Sequence, residues 1–435
     1  SSEQIRLKEQ QKKMLKALQE LSVSTKLQEQ HSTHHRLDIW YQGAQDIAPE
    51  CRPYSPYNVS YATTSIASSI LSRQRTPSMS SANSSLVSEN ESEKDLNYET
   101  TERDQYGFKR PMQWVSPKQL YEFDIKYKPM LLKQAKHWNK LFANNDQQWP
   151  TLCPELTRYV RKGIPQSFRT KAWMHYSGAD NRMKANTGVY TSLIAQDCEN
   201  AQTIERDLHG SFPSNSFFPQ DSETNKLKML QRILCAFSLY VPEIGYRQSL
   251  IFIAGFLLVF QDEEEAFWLL VTAIKDFFPK DMFSSSSSEQ TILMMMVYEK
   301  MPGVWSKIAN KKCFWECQQT DSLPSVTLVT DHWFSTMFVN VLPVETVMRI
   351  WDCFFVGEGF KVLYQVALTI MKLNEHSICN VADSVDIIQL LQKSPKRLID
   401  CHEFIKSVFS PQSITHDITL QEINRIRALF RNRKN

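Results

Sequence analysis

The side chains best placed to act together lie in two short motifs near the middle of the chain. Residues 204–210 read I-E-R-D-L-H-G, and residues 246–248 read Y-R-Q. The sequence contains no G-x-x-x-x-G-K-[ST] phosphate loop, no H-E-x-x-H zinc motif and no G-x-S-x-G nucleophile motif. We therefore expect no autonomous catalytic site, and we expect a protein that acts on another protein.

The nine cysteines offer one candidate metal site. Cys313 and Cys317 are four positions apart and His332 follows at a distance, a set that could hold zinc. The alternative, buried thiols in a reducing cytosol, fits their scattered spacing better. The ten histidines show no ligand spacing, so we expect no metal.

Bulk composition excludes several classes of protein. A net charge of +3 over 435 residues gives no concentrated basic surface for nucleic acid. Residues 1–13 are charged and polar and therefore lack the apolar core of a signal peptide. The longest apolar run, residues 250–260, is shorter than the roughly 20 residues that span a bilayer. We expect a soluble protein.

The N-terminal region divides into two parts. Residues 1–30 are polar, with Leu7, Met14, Leu18 and Leu21 near heptad spacing. This pattern predicts a short polar helix, marginal alone, or a coiled coil that makes the chain an oligomer.

Residues 31–105 follow as a predicted disordered linker rich in Ser and Thr. Within it, residues 73–78 place hydroxyls beside basic residues and a proline, which suits phosphorylation. Such matches also arise by chance in Ser-rich sequence.

The remaining chain has helical patterning. Only 11 glycines and as many as 15 methionines favour helices over a turn-rich β protein. Residues 106–154 form a predicted helical extension whose amphipathic helix, over 119–149, has an apolar face of Leu131, Leu132, Ala135, Trp138 and Leu141. Serines before Glu289 are expected to cap the helix that begins there.

Residues 379–435 are predicted to form C-terminal helices with a basic tail. Thr419 and Glu422 have the spacing of a capping box. The last helix is expected to pack on the domain through one apolar face, with its arginines in solvent. The alternative is contact with an anionic membrane or a partner.

A family resemblance accounts for the motifs together. Residues 161–173 resemble the opening R-x-G-I-P-x-x-x-R-x-x-x-W of the TBC domain of Rab GTPase-activating proteins, and the two central motifs resemble its fingers, I-x-x-D-x-x-R and Y-x-Q. Further matches follow in order at residues 252–258, 262–268, 333–345 and 349–359. The resemblance covers 155–378 and implies an all-α fold of two helical subdomains. Residues 106–150 also resemble the region before the domain in some fungal members.

The resemblance implies a role for each site residue. Gln248 is the glutamine finger, which replaces the GTPase's own glutamine, and position 210 is the arginine finger. Tyr246 helps to hold the glutamine loop and Asp207 orients the arginine loop. Arg169 and Trp173 are implied to be architectural. GTP and Mg²⁺ belong to the partner GTPase, so the chain needs no cofactor of its own.

Position 210 departs from the family because it is glycine. An arginine finger contributes on the order of 10³–10⁵ in rate, which is roughly 4–7 kcal/mol of transition-state stabilisation. Gly210 has no side chain and supplies none of it. Three residues could replace the missing cation: Arg206, one turn earlier if the segment is helical, Arg247, and the mostly neutral His209.

The second motif also departs from the family, where many members read Y-C-Q-G-M. Ser249 adds a Cβ at a position where the backbone is expected to need freedom. Arg247 adds charge that either favours phosphate or faces solvent. Gln248 alone would be interpreted as a surface or capping residue, and only its register in Y-x-Q points to a site facing a GTPase.

Three functional hypotheses follow. The first is a Rab-type GTPase-activating protein, weakened at Gly210, that acts in trans on a GTP-bound Rab in vesicle trafficking. The second is a catalytically inactive Rab-binding or scaffolding protein, and the third is a structural helical partner. We expect a cytoplasmic protein that is recruited peripherally to trafficking membranes.

Overall fold

Helices account for nearly all of the secondary structure in this computed structural model. The structure describes residues 101–209, 215, 216, 218, 225–283, 288–319 and 323–434. Within those residues, the extended backbone amounts to two isolated β-bridges, Arg103 with Lys109 and Phe108 with Asn215. The predicted all-α fold is confirmed. The helix predicted over 1–30 and the linker up to residue 100 lie outside the described residues.

Nine helices make up the first half of the described chain. They are α1 (Pro117–Ala143), α2 (Pro154–Lys162), α3 (Gln166–Ser177), α4 (Ala179–Ala185), α5 (Val189–Ile194), α6 (Ala201–Leu208), α7 (Asn225–Tyr240), α8 (Ser249–Phe260) and α9 (Glu263–Thr272), the last continued by a wider π turn over Ala273–Phe277.

Ten helices are described in the second half. They are α10 (Glu289–Lys300), α11 (Pro302–Ile308), α12 (Phe314–Gln319), α13 (Thr327–Ser335), α14 (Val344–Cys353), α15 (Lys361–Leu373), α16 (Glu375–Asn380), α17 (Ser384–Lys393), α18 (Cys401–Phe409) and α19 (Leu420–Lys434). An irregular turn over Phe354–Glu358 follows α14, and a 3₁₀ turn over Ser394–Arg397 follows α17.

The predicted amphipathic helix is α1. A capping box begins it, because the Ser116 hydroxyl accepts from the Gln119 amide while the Gln119 side chain accepts from the Ser116 amide. Trp138 is buried on its inner face as expected, but Leu132 is 67% exposed. The buried face follows positions 120, 127, 134, 138 and 142, and Leu132 points away from it. Placing Leu132 on the apolar face was wrong.

The core is centred on α8 and α9, two helices that are buried on every side over most of their length. Ten residues of α8 and seven of α9 are buried, as expected for helices without a solvent face. Helix α7 packs against both, and α4 packs against α9. The chain therefore builds its interior around the helix that follows Gln248.

Helix α14 carries a buried acceptor that holds α3 and the turn before it. The Asp352 carboxylate accepts from the Ile164 amide at 3.0 Å, from Arg169 Nε at 3.0 Å and from Trp173 Nε1 at 3.0 Å. Arg169 is 2% exposed and Asp352 is fully buried. Burial raises the pKa of Asp352, and the Arg169 guanidinium opposes that rise.

Arg349 is a second buried charged residue of α14, and it explains why the opening motif has glycine at position 163. Its guanidinium donates to the carbonyl of Arg161 at 2.6 Å. Gly163 adopts a φ of +113°, and a Cβ there would lie 2.8 Å from Arg349 Nε. Backbone conformation and close contact thus both require glycine.

The C-terminal helix α19 packs on the domain as expected, through Ile423, Ile426 and Phe430. One of its arginines is not in solvent, however. Arg427 donates to the buried carboxylate of Glu289 through Nε at 3.0 Å and Nη2 at 2.8 Å. The expectation of a wholly solvated basic face was wrong at Arg427, because the carboxylate at the start of α10 requires a counter-charge.

Two expected helix caps form only in part. Thr419 Oγ1 accepts from the Glu422 amide at 3.1 Å, but the Glu422 carboxylate pairs with Arg425 instead of returning to the cap. Ser288 occupies the N-cap position of α10, yet its side chain makes no capping hydrogen bond.

Residues 103–110, which we call the N-terminal strap, form a tight turn before α1. The Asp104 carboxylate accepts from the amides of Tyr106 at 2.9 Å and Phe108 at 3.0 Å. The Tyr106 ring lies 5.1 Å from that of Phe260, and its hydroxyl donates to Glu345 of α14 at 3.0 Å. The strap therefore bridges α8 and α14.

Within the described part of the chain, no helix is both long enough and apolar enough to cross a membrane.

Replacing Asp352 with alanine is expected to lower the free energy of unfolding by about 3–5 kcal/mol, because Arg169 stays buried without its counter-charge. Equilibrium denaturation with urea measures this. The control is Asp180→Ala, which removes an exposed pair with Lys184 at 2.5 Å and should change stability by no more than about 0.5 kcal/mol. Equal losses in the two variants would contradict the central role of Asp352.

Asp104→Asn is expected to alter the pH dependence of stability. Burial raises the pKa of Asp104 from 3.8 to about 6, with Glu345 adding to the rise and Arg110 opposing it. In the wild-type protein, the contribution of protonated Asp104 to the free energy of unfolding is complete below pH 3.8. It is lost as the pH rises through 6. Asparagine keeps both acceptor contacts without titrating.

The stability of Asp104→Asn relative to wild type should therefore increase by on the order of 2–3 kcal/mol between pH 4 and pH 7. Thermal unfolding at a series of pH values measures the difference. The pH 4 measurement is the internal control, where the two proteins should differ little. A relative stability that falls with pH would contradict the assignment.

Candidate functional site

The first finger motif lies at the end of α6. Ile204 is fully buried and Leu208 is 7% exposed, and these two side chains fix the helix against α7. Between them, Asp207 has a side chain that is 5% exposed, whereas the Arg206 side chain is 67% exposed. Arg206 lies on this helix, whereas position 210 lies outside the described residues. The helix ends at Leu208, so the last turn presents one buried carboxylate and one solvent-facing cation.

The second motif lies in the loop between α7 and α8. After α7, the amides of Ile244 and Gly245 both donate to the carbonyl of Val241. Gly245 has a φ of +65°, a left-handed conformation that glycine adopts without strain. The chain then enters α8 with Gln248 at the N-cap position.

A hydrogen bond between described residues joins the two motifs. The Tyr246 hydroxyl donates to Asp207 Oδ2 at 2.9 Å. Burial raises the pKa of Tyr246 well above its ordinary value, and the Asp207 carboxylate adds to the rise. Tyr246 therefore stays protonated and can keep donating, so the loop that carries Gln248 is fixed to the helix that carries Asp207.

Gln248 is half-buried, and its side chain makes no capping hydrogen bond to α8. Its Oε1 atom is buried and has no hydrogen-bond partner among the described residues. A buried acceptor without a donor costs about 1–3 kcal/mol. The side chain thus holds a polar atom whose burial no capping or packing role explains.

All three candidate cations lie among the described residues. His209 is the exposed C-cap residue of α6. Arg206 Nε lies 3.8 Å from Asp207 Oδ1, on the same carboxylate that Tyr246 contacts. Arg247 is exposed to solvent. Residues 210–214 lie outside the described residues, so the structure assigns no neighbour to Gly210. The exposed guanidinium that belongs to the Asp207–Tyr246 cluster is that of Arg206.

The two remaining site residues lie elsewhere. Arg169 and Trp173 are buried against Asp352 in the interior and present no surface to a partner. Arg169 and Trp173 therefore have the contacts of architectural residues. No described hydrogen bond joins either of them to Asp207 or Tyr246.

Ser249 does not have the strained backbone that the sequence suggested. It lies in the first turn of α8, and its φ is not positive. The expectation that this position needs glycine was wrong, because a helical residue carries a Cβ without strain. The position in this loop that requires left-handed backbone is Gly245.

The zinc candidates do not form a cluster. Cys317 is buried, Cys313 is half-buried, and neither forms a disulfide with another described cysteine. His332 is buried in α13, and burial lowers its pKa to about 3. Across the described ranges, no three His, Cys, Asp or Glu side chains are arranged to hold a metal ion.

Motif analysis missed two buried residues in the chain between α6 and α7. Asn215 is 3% exposed and Phe218 is 2% exposed. They follow position 210, and the N-terminal strap contacts Asn215 directly. Residues 211–218 read S-F-P-S-N-S-F-F and have neither helical nor strand periodicity, so only tertiary contact shows the importance of Asn215 and Phe218.

Comparison with known proteins decides the family. A family model described as the Rab-GTPase-TBC domain matches residues 166–379. The chain is 31% identical to GTPase-activating protein MSB4 of Saccharomyces cerevisiae over 404 residues, which cover 76% of this chain and 82% of that protein. The chain belongs to the Rab-GTPase-TBC domain family.

Other TBC proteins are also similar to this chain. The chain is 33% identical to growth hormone-regulated TBC protein 1 of Xenopus tropicalis, over 74% of this chain and 92% of that protein. It is 32% identical to GTPase-activating protein GYP3 of Saccharomyces cerevisiae over 75% of its own length, and it spans 63% of that relative. The crystal structure of the Chlamydomonas flagellar RabGAP TBC domain shares the TBC fold, with a TM-score of 0.59 and 24% identity over 71% of this chain and 99% of that one.

Tyr246→Phe is expected to lower the free energy of unfolding by about 1.5–3 kcal/mol, because it removes a hydrogen bond to a buried carboxylate. The matched control is Tyr176→Phe, whose hydroxyl donates to the neutral carbonyl of Pro150 at 2.7 Å. That change should cost about 0.5–1.5 kcal/mol. Chemical denaturation compares the two, and a smaller loss for Tyr246→Phe would argue against the Asp207 contact.

Proposed function

We propose that this chain binds a Rab-family small GTPase in its GTP form and stimulates GTP hydrolysis weakly. The Tyr246–Asp207 hydrogen bond is the observation that carries the proposal. It keeps the glutamine-finger loop attached to the helix that precedes position 210, even though that position is glycine. The chain supplies the activator, and GTP and Mg²⁺ belong to the partner GTPase.

Gln248 is the group that we propose acts on the reaction. Hydrolysis needs an attacking water in line with the γ-phosphate, and a glutamine side chain can orient that water. The buried Oε1 of Gln248 has no donor among the residues that the structure describes. Docking of a GTPase would bring a donor to that atom and relieve part of its desolvation cost.

Glycine at position 210 limits the acceleration of GTP hydrolysis. Without an arginine finger the chain lacks roughly 4–7 kcal/mol of transition-state stabilisation. Arg206 is the exposed cation nearest in sequence on α6, and its contact with Asp207 sets it beside the Gln248 loop. We propose that it recovers only a small part of the loss, because its Nε is already directed to Asp207.

A catalytically inactive Rab-binding or scaffolding protein is the second candidate. Gly210 favours it, because a surface can recognise a GTPase without supplying charge to the transition state. In either case we propose that the protein acts in the cytoplasm, in vesicle trafficking, with peripheral recruitment to membranes. Oligomer formation through residues 1–30 is part of the same proposal.

Single-turnover GTP hydrolysis across a panel of GTP-loaded Rabs tests the proposal. Wild type should accelerate hydrolysis for at least one Rab, and Gln248→Ala should abolish that acceleration. Gly210→Arg should raise the maximal rate by on the order of 10³-fold or more. Gly210→Ala is the matched control, because it adds a Cβ without charge and should leave the rate unchanged.

Different outcomes select different functions. Activity in Gly210→Arg alone, with wild type binding GTP-loaded Rab but not accelerating hydrolysis, would favour the scaffold. Unchanged acceleration in Gln248→Ala would contradict the glutamine-finger role. Absence of binding to every GTP-loaded Rab would overturn both candidates.

A further inference from the structure

Helix α1 exposes large apolar and aromatic side chains on the side that faces away from the domain. Leu132 is 67% exposed, Ile125 is 55% exposed and Tyr121 is 40% exposed. At 3.6 residues per turn, these three positions fall within about 40° of one another around the helix axis. The buried residues of α1 occupy the opposite side of the helix. The three exposed side chains therefore lie in one stripe along α1.

Lysines flank this stripe on both sides. Four exposed lysines lie within about 60° of Ile125 around the helix axis: Lys118, Lys128, Lys136 and Lys140. The acidic residue within the same arc is Glu122, so four lysines against one glutamate leave a net charge of +3. We call the three exposed side chains of the stripe, together with these four lysines, the outer face of α1. The face is basic at its sides and apolar in the middle.

The lysines of the outer face are not engaged by carboxylates of the domain. Elsewhere on α1, Lys126 pairs with Asp400 at 2.7 Å, and on α4 Lys184 pairs with Asp180 at 2.5 Å. In the part of the chain that the structure describes, no such ion pair involves any of the four lysines of the outer face. Their charge is therefore available to an anion outside the protein.

An anionic lipid surface matches both parts of this face. A helix with apolar residues in the middle and lysines at the sides lies in the membrane interface, with its apolar side chains at the acyl boundary and its ammonium groups at the phosphates. Lysine stems cover apolar surface while their charged ends stay in water. We propose that the outer face of α1 is the surface by which this protein contacts a negatively charged membrane. This assignment rests on the peripheral recruitment in the proposed function and names the surface responsible.

Helix α19, the other basic helix, does not combine these features. Its exposed Leu420 and Leu429 lie about 180° apart around the helix axis, so they do not form one stripe. Arg427 pairs with Glu289, and Arg425 pairs with Glu422. The charges of α19 are thus directed to carboxylates of the chain itself. The family-model match begins at residue 166, so α1 lies outside it.

Flotation of the full chain with lipid vesicles measures the contact. One set of vesicles is phosphatidylcholine alone, and the other is phosphatidylcholine mixed with phosphatidylserine, which supplies the negative charge. The chain should bind the mixed vesicles and not the neutral ones. Added salt should weaken that binding, because salt screens exposed charges. Equal binding to both sets, or absence of binding to the mixed set, would overturn the proposal.

Two double variants test the outer face itself. Lys128→Gln with Lys136→Gln should weaken partitioning to the mixed vesicles about 30-fold, since each lysine contributes about fivefold. Ile125→Ala with Leu132→Ala should weaken it about tenfold, because fewer methylene groups leave water. The salt dependence should fall in the lysine variant and persist in the apolar one. Vesicle binding that neither variant changes would place the lipid contact elsewhere and overturn the proposal.

Lys311→Gln with Lys312→Gln is the matched control for net charge. Both lysines are exposed in the turn between α11 and α12, so the control removes two charges away from α1. Its partitioning should equal that of wild type. The three variants alter exposed side chains and should keep the wild-type melting temperature. A loss of binding as large as that of the Lys128 and Lys136 variant would reveal an effect of net charge alone and would overturn the assignment to α1.

A second copy of the chain is the other occupant that the experiments distinguish. If wild type does not bind vesicles but sediments as a dimer that Ile125→Ala with Leu132→Ala dissociates, the face is a dimer contact and the proposal is wrong. Single-turnover hydrolysis with a Rab in solution separates the membrane contact from activation. The α1 variants should match wild type in that assay. If no Rab is activated, activation fails, and vesicle binding still decides the role of α1.

Discussion

The buried carboxylate of Asp352 is the interaction on which the rest of the structure depends. It compensates the charge of Arg169, satisfies the Ile164 amide and receives the Trp173 indole, so one acceptor connects α14 to α3 and to the turn before it. A carboxylate buried this deeply is stable only if every one of these donors is in place. The motif residues at the start of the domain are thus tied to a residue late in the sequence.

Different side chains stabilise the fold and form the candidate site. The interior is built from α8, α9 and the buried Arg349 and Asp352 of α14. The candidate site consists of Asp207, Tyr246 and Gln248. No described hydrogen bond joins Asp352 or Arg349 to any of these three side chains. The contacts that stabilise the interior are therefore separate from the one that joins the two motifs.

Sequence reasoning succeeded where signals are local. The scarcity of glycine predicted a helical chain, the apolar pattern over 119–149 predicted α1, and the spacing in α19 predicted its packed face. It failed where the deciding partner is distant. Arg427 finds Glu289 at a separation of 138 residues, and no local pattern distinguishes it from the other arginines of the last helix. The strap contacts on Asn215 were missed for the same reason.

The pairing of Arg427 with Glu289 has a consequence for where the folding unit ends. The matching region stops at residue 379, yet the guanidinium that neutralises a carboxylate in the first turn of α10 comes from α19. A fragment cut at the edge of the recognisable domain would retain that acid in an apolar interior with its cation removed. The stretch that matches the family model is therefore shorter than the stretch that supplies the counter-charge of Glu289.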